Sequence, residues 1–303
     1  MLRQTLLYLS RQRWLRHWLE NSSASRKLTS RFIAGGVLSD AFRVVEKLAG
    51  EHIAATLDFL GENVTSLTEA ARSRESYLQA LGEVEQTRLP ATISVKLTQL
   101  GLDFSTDACL ANVSALVARA QAMNTMIEID MEGSEYTDRT LQIVKCLHER
   151  FQGHVRAVIQ AYLYRSEADI ERLSDRRIPV RLCKGAYHEP AEIAFQHKRD
   201  VDRNYLKLLR LLLETGTYPA IATHDVNMIR AAVKQVKEQN VAADRFEFQM
   251  LYGVGRDLQR ELVRRAYRLR LYIPYGDAWY PYFMRRLAER PANVLFLVRN
   301  LIR

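Results

Sequence analysis

Cysteine is scarce: Cys109, Cys146 and Cys183 are the only three in 303 residues. Odd in number and widely spaced, they make neither a disulfide framework nor a zinc site, and they suit a reducing cytosol. No run approaches the roughly 18 apolar residues of a membrane span. Nor does a leader with a small-residue cleavage site open the chain, so secretion is not expected. No stretch rich in proline, glycine or serine marks a linker, which argues against a second domain. The histidines are scattered, without the spacing that holds a metal. A Ser/His/Asp triad lacks its nucleophile-elbow motif. Gly253-Val254-Gly255 fails as a dinucleotide loop, because Leu258 stands where the third glycine belongs.

Acidic residues are also missing from one place, the first 19 positions. The net charge of +9 is concentrated at the two ends: nine Lys/Arg against three acids over 1–50, and eleven against four over 256–303. Such ends suit an anionic surface, of lipid headgroups or nucleic acid. No zinc finger, recognition helix or aromatic RNA-binding signature accompanies them, so no nucleic acid partner is expected. Residues 1–50 read as helical, with Leu6, Leu7, Trp14, Leu15, Trp18 and Leu19 on one side and Arg11, Arg13 and Arg16 beyond it. A packing arm, a membrane-surface helix and a targeting segment all fit that pattern.

What the chain does have, 48% of it, is apolar residues, enough for a sizeable core. They recur as short runs at Ala55–Leu60, Ala91–Leu97, Met126–Met131, Val155–Gln160, Ile178–Cys183, Ala220–His224, Phe246–Leu251 and Leu269–Ile273. Helical periodicity fills most gaps, as at Cys109–Ala122, Thr137–Phe151, Ala191–Leu213 and Val226–Gln239. Strands alternating with helices predict an α/β fold, a single (β/α)8 TIM-type barrel over residues 51–303 behind the 1–50 arm. A doubly wound open sheet is the structural alternative. In a barrel, catalytic groups stand at the C-terminal ends of the strands. Those ends read Glu62, Lys96, Asp130, Gln160, Arg181 with Lys184, His224, Gln249 and Tyr272, a chemically varied set that favours a functional mouth.

Three stretches could carry chemistry. Arg181-Leu182-Cys183-Lys184-Gly185-Ala186-Tyr187 delivers a cation from a strand, then turns through two small residues that let a ligand approach the backbone. Lys184 and the N–H groups of that turn can hold a phosphate, Tyr187 offers an aromatic wall, and Arg181 a permanent charge beside a flavin or an oxyanion. Thr223 and His224 add a hydroxyl and an imidazole to the same rim, although a lone strand-end histidine is commonly only hydrogen-bonded scenery. The last stretch runs from Tyr272 through Pro274–Gly276, read as a turn, to Pro281, Tyr282, Arg285, Arg286 and Glu289. An arginine pair can grip a carboxylate while aromatic rings hold a small apolar body beside it. An ordinary i,i+4 surface pair of Arg285 with Glu289 fits equally.

Together these segments resemble the monofunctional bacterial proline dehydrogenases, FAD-dependent enzymes with a distorted (β/α)8 barrel. The resemblance runs from about Ala55 to Asn300. It is carried by Ile93-Ser94-Val95-Lys96-Leu97, Ile127-Glu128-Ile129-Asp130-Met131-Glu132, the Arg181–Tyr187 run, Ala222-Thr223-His224, Phe246–Gly253, and Tyr272–Gly276 leading into Arg285–Glu289. Cys183 departs from it, standing where a small aliphatic residue is usual.

The resemblance implies oxidation of L-proline to Δ1-pyrroline-5-carboxylate by hydride transfer to FAD. It further implies electrons passed to a quinone, onward oxidation by a separate pyrroline-5-carboxylate dehydrogenase, and a cytoplasmic protein in peripheral contact with the membrane. It assigns Lys96, Arg285 and Arg286 to the proline carboxylate, Glu289 to bracing the arginines, and Tyr272, Tyr282 and Leu251 to the ring. Arg181 would lie by the flavin N5 edge, with Asp130 in a polar network beside Lys96. Met131 and Gln160 would meet the flavin ring or ribityl chain, and Lys184, Gly185, Ala186, Tyr187, Thr223 and His224 the rest of FAD. Without the resemblance, another flavin- or phosphate-binding barrel enzyme fits the same turn, as does, more remotely, a basic binding protein with no chemistry.

Overall fold

Short runs rich in branched side chains, each closed by a turn, are too brief for core helices and pair as strands. In the computed structural model, which describes residues 31–61, 64–280 and 282–284, they do so in chain order. The strands are β1 (Ala54–Phe59), β2 (Ala91–Val95), β3 (Ile127–Ile129), β4 (Val155–Gln160), β5 (Val180–Cys183), β6 (Ala220–Ala222), β7 (Glu247–Leu251) and β8 (Leu269–Tyr275). All are parallel, and β8 pairs back onto β1, closing the barrel. The open-sheet alternative is thereby excluded.

The helices are α1 (Leu38–Gly50), α2 (Leu67–Thr87), α3 (Thr106–Ala122), α4 (Thr137–Arg150), α5 (Ser166–Asp175), α6 (Lys198–Thr215), α7 (Val226–Glu238) and α8 (Arg256–Arg264). Local chemistry sets their limits. Ser66 accepts a hydrogen bond from Glu69 N at 3.2 Å to start α2, and Ser105 does the same for Ala108 N in α3. That cap explains why α3 begins before Cys109. Helix α6 begins at Lys198 rather than Ala191, because residues 191–197 instead run beside the loop after β4, where Leu163 pairs with Ala194. Helix α1 buries Ala41, Phe42, Val45 and Leu48 and packs on β1 and β8. The rest of the expected arm, residues 1–30, lies outside the described residues, as does Glu62.

Each strand alternates sharply. Its outward residues, such as Leu57, Ile93, Ile127, Ile129, Leu182, Phe248 and Ile273, join one large apolar core with the helices. Many of its inward residues are polar, among them Thr56, Asp58, Ser94, Glu128, Arg156, Arg181, Glu247 and Gln249, whereas Val158 and Ala222 face inward as apolar exceptions. Glu128 on β3 touches Thr56 on β1, Arg156 on β4, Arg181 on β5 and Gln249 on β7, contacts that only the barrel interior allows. Pro274 is no turn residue: it sits within β8, opposite Asp58. Its polar edge lies beyond the end of β7, where its carbonyl accepts from Ala34 N at 2.9 Å, so no ladder bond is lost.

Candidate active site

A cavity of about 510 Å3 opens at the C-terminal ends of the strands. Lys96, Asp130, Met131, Gln160, Arg181, Lys184, Gly185, Ala186, Tyr187, Thr223, His224, Leu251, Tyr272 and Tyr282 all line it. Arg285, Arg286 and Glu289 lie outside the described residues. Sequence reasoning missed Asp58, which β1 brings to the cavity, and treated Arg181, Gln249 and Tyr272 as strand ends although they point inward from mid-strand.

The floor is a buried network. Asp130 accepts from Ser94 Oγ at 2.6 Å, Tyr272 OH at 2.7 Å and Arg181 Nη2. Lys96 Nζ stands 3.5 Å from Asp130 and donates to both oxygens of Asp58, at 3.1 and 3.3 Å. The Arg181 guanidinium also reaches Glu128 at 3.3 Å and lies over the Tyr272 ring, 5.3 Å from its centre. Burial alone would push the Asp130 carboxyl up, yet Arg181, Lys96 and its two hydroxyl donors hold it below the ordinary value. Burial beside that carboxylate drives the Tyr272 phenol well above its usual range. The network therefore offers fixed charges and an un-ionised phenol rather than a group poised to shed a proton near neutrality.

The β5 wall differs. After Cys183 the chain turns through Gly185 at φ +108, a left-handed geometry that favours glycine, and a Cβ there would stand 2.2 Å from the Tyr162 ring. Lys184 Nζ then reaches Asp225 at 2.9 Å and Asp202, and Lys198 contacts the same two carboxylates. Gln160 is fixed by donating to Glu132 O at 2.8 Å, and His224 Nε2 accepts from Leu251 N at 3.4 Å. Cys183, inside the cavity, has its thiol pushed up to about 11 by burial. Burial outweighs the nearby Arg181 charge and leaves it un-ionised at neutral pH. Tyr282, Leu251 and Val254 supply an apolar side, backed by Phe32, Ile33, Leu60 and Phe283. No group of His, Cys, Asp or Glu suited to a metal occurs among the described residues.

The sequence profile of the proline dehydrogenase family matches residues 41–299. The chain belongs to that family. It is 38% identical to proline dehydrogenase 1 of Bacillus subtilis over the full length of both. The proline dehydrogenase of Deinococcus radiodurans is likewise 38% identical, over 91% of this chain and 90% of its own. The bifunctional protein PutA of Escherichia coli is 28% identical over 91% of this chain but only 24% of its own. Among solved structures, proline utilization A from Bdellovibrio bacteriovorus inactivated by N-propargylglycine superposes with a TM-score of 0.82 at 26% identity. The match covers 88% of this chain and a third (33%) of that one. The chain thus matches the shorter relatives over 90% or more of their length and the longer ones over a quarter to a third of theirs (24% and 33%).

Proposed function

We propose that the chain oxidises L-proline to Δ1-pyrroline-5-carboxylate with FAD as its cofactor, the first step of proline breakdown. The observation that carries the reading is the gathering of every described candidate residue around one cavity, in a chain of this family. The lining suits a flavin. Met131, Val158, Leu251 and Val254 give apolar walls to a flat ring; Arg181, Gln160 and Gln249 give polar contacts at its edges; and the Lys184–Tyr187 turn brings bare backbone to the rim. Arg181, Met131 and Gln160 would hold the ring and ribityl chain, and Lys184, Gly185, Ala186, Tyr187, Thr223 and His224 the remainder. Bound there, FAD would accept the hydride that leaves the proline ring carbon next to nitrogen.

The chain's own residues bind and orient. Lys96, with Arg285 and Arg286 braced by Glu289, would grip the substrate carboxylate and fix its register. Tyr272, Tyr282 and Leu251 would pack the ring. Asp130 keeps Arg181, Lys96 and Tyr272 in one geometry and stays ionised, so the positive charge near the acceptor does not titrate in the working range.

Reoxidation is placed on a membrane quinone, met through the basic ends of a cytoplasmic protein in peripheral contact with the bilayer. No helix among the described residues is long and apolar enough to cross a membrane. Onward oxidation of the product is placed on a separate dehydrogenase, because relatives matched from end to end are named for proline dehydrogenase alone. Residues 1–50 are assigned as the arm and 51–303 as the catalytic barrel.

Anaerobic addition of L-proline to the flavin-loaded protein tests the proposal. The visible flavin bands should bleach, with one pyrroline product per flavin. A protein that takes up no flavin, or keeps its colour with proline, overturns it.

A further inference from the structure

The loop after β5 is long, running from Lys184 to the start of α6 at Lys198, and it carries the turn assigned above to FAD. Long βα loops are ordinarily mobile unless something ties them. Backbone bonds and the Tyr164 hydroxyl tie its far end to the loop after β4, and one carboxylate joins it to two neighbouring loops at once. Glu189 accepts from Ser134 N at 2.8 Å through one carboxylate oxygen and from Ser134 Oγ at 2.6 Å through the other. The hydroxyl of buried Tyr162 lies 3.4 Å from the same carboxylate.

Each partner belongs to a different wall. Ser134 follows Met131 and Glu132 in the loop after β3, and Glu132 O holds the Gln160 side chain. Tyr162 follows β4, receives the Lys184 carbonyl on its backbone N–H at 2.9 Å, and passes its own carbonyl to Phe195 N at 2.8 Å. Its ring is the surface against which Gly185 packs. Three loops on one side of the barrel mouth, two of which line the cavity, thus converge on a single carboxylate that lies outside the cavity lining.

We propose that Glu189 is a positioning residue that latches the Lys184–Tyr187 turn to the loops after β3 and β4, and so sets the affinity of the site for FAD. Two hydrogen bonds to a charged acceptor converge from one residue, a geometry that fixes distance and direction together. Without them the loop loses its side-chain tie to the loop after β3, while Lys184 keeps its ion pairs to Asp202 and Asp225 and its backbone bond to Tyr162. The proposal rests on the flavin reading of the cavity, and its test separates the two.

Glu189→Ala, Ser134→Ala and the double variant are compared with the parent in two measurements. The first is amide hydrogen exchange over 184–197 in the flavin-free protein. The second is FAD titration by quenching of flavin fluorescence. Glu189→Ala should speed exchange across the loop and weaken FAD binding about ten-fold or more, as expected for loss of hydrogen bonds to a charged group. Glu189→Gln, which keeps an acceptor for Ser134, should recover part of both. Ser134→Ala should weaken binding in the parent yet change little on the Glu189→Ala background, since both act through one contact. Unchanged exchange in Glu189→Ala overturns the latch whatever the cavity binds. Faster exchange with unaltered FAD affinity overturns its link to the cofactor, as does full additivity of the two variants. A parent that binds no FAD defeats the reading of the site, while exchange still decides whether the latch exists. Should Glu189→Ala fail to fold, Ser134→Ala in the parent decides alone: unaltered exchange or FAD affinity there overturns the proposal.

Discussion

Two groups of ion pairs in this barrel use the same side-chain chemistry in opposite surroundings. Inside, below the cavity floor, Arg156 and Arg270 share Glu247, at 2.7 and 3.0 Å, and Arg156 continues to Glu128 at 3.4 Å. At the rim, Lys184 and Lys198 share Asp202 and Asp225. Arg156 and Glu128 are almost wholly enclosed, whereas Lys198 is 72% exposed. A buried charge has nothing to fall back on but its partner, while an exposed one has water. The interior group therefore dictates the arrangement of the barrel, and the rim group answers mainly to solvent and ligand.

The sharpest way to break the contrast is Glu247→Ala. It strips Arg156, Arg270 and Gln249 of a common acceptor and leaves two buried guanidiniums undercompensated. The expected loss is roughly 3–5 kcal/mol of unfolding free energy, read from urea denaturation. A loss below about 1 kcal/mol would show that the interior pairs are as dispensable as surface ones.

Next in size is Asp130→Asn, which preserves shape while weakening the hold on Arg181, Lys96 and Tyr272. A fall in kcat/KM for proline of about 100-fold is expected. Unaltered kinetics would mean that the floor network merely fills space.

Acid should act on both regions in the same direction. Glu128 and Glu247 are buried, which alone raises a carboxyl, but their arginine partners hold both below the usual range, as Lys184 and Lys198 hold Asp225. A depressed folded value means stability that is complete above the unfolded value near 4 and is lost as the pH falls below it. Unfolding free energy should therefore decline below about pH 4. Replacing Glu247 by Gln should flatten that decline by at most ~1.4 kcal/mol per pH unit, one proton's worth. An identical slope in parent and variant would remove Glu247 from the account.

How much of this could be read beforehand follows from the period of the pattern. The strand runs, their number and the motif-bearing turns were legible, because apolar runs and small-residue turns are local signals. Val155–Gln160 was placed to the residue. The polar barrel interior was not, because Thr56, Glu128, Arg156 and Glu247 sit singly among apolar neighbours and look like blemishes in a core strand. Only closure reveals that every second residue faces the same axis. Asp58 could have been found that way, since Thr56 and Asp58 alternate with Leu57 and Phe59. The rim cluster had no such signal: Lys184, Asp202 and Asp225 come together only when α6 and α7 pack behind β5 and β6.

Lys198→Ala is the mildest test. Lys198 pairs one turn along α6 with Asp202 and, at 3.2 Å, with Asp225 across the rim. Its own charge is largely exposed to water, and Lys184 continues to contact both carboxylates. Stability should drop by less than about 1 kcal/mol. That small difference should vanish in about 1 M salt, where the Debye length is near 3 Å. The loss in Glu247→Ala should persist in the same salt, because ions do not enter the barrel interior. Urea unfolding of both variants at low and high salt gives the four numbers required. If the Lys198 effect survives salt, or matches that of Glu247, the rim and the interior obey one rule and the contrast drawn from burial fails.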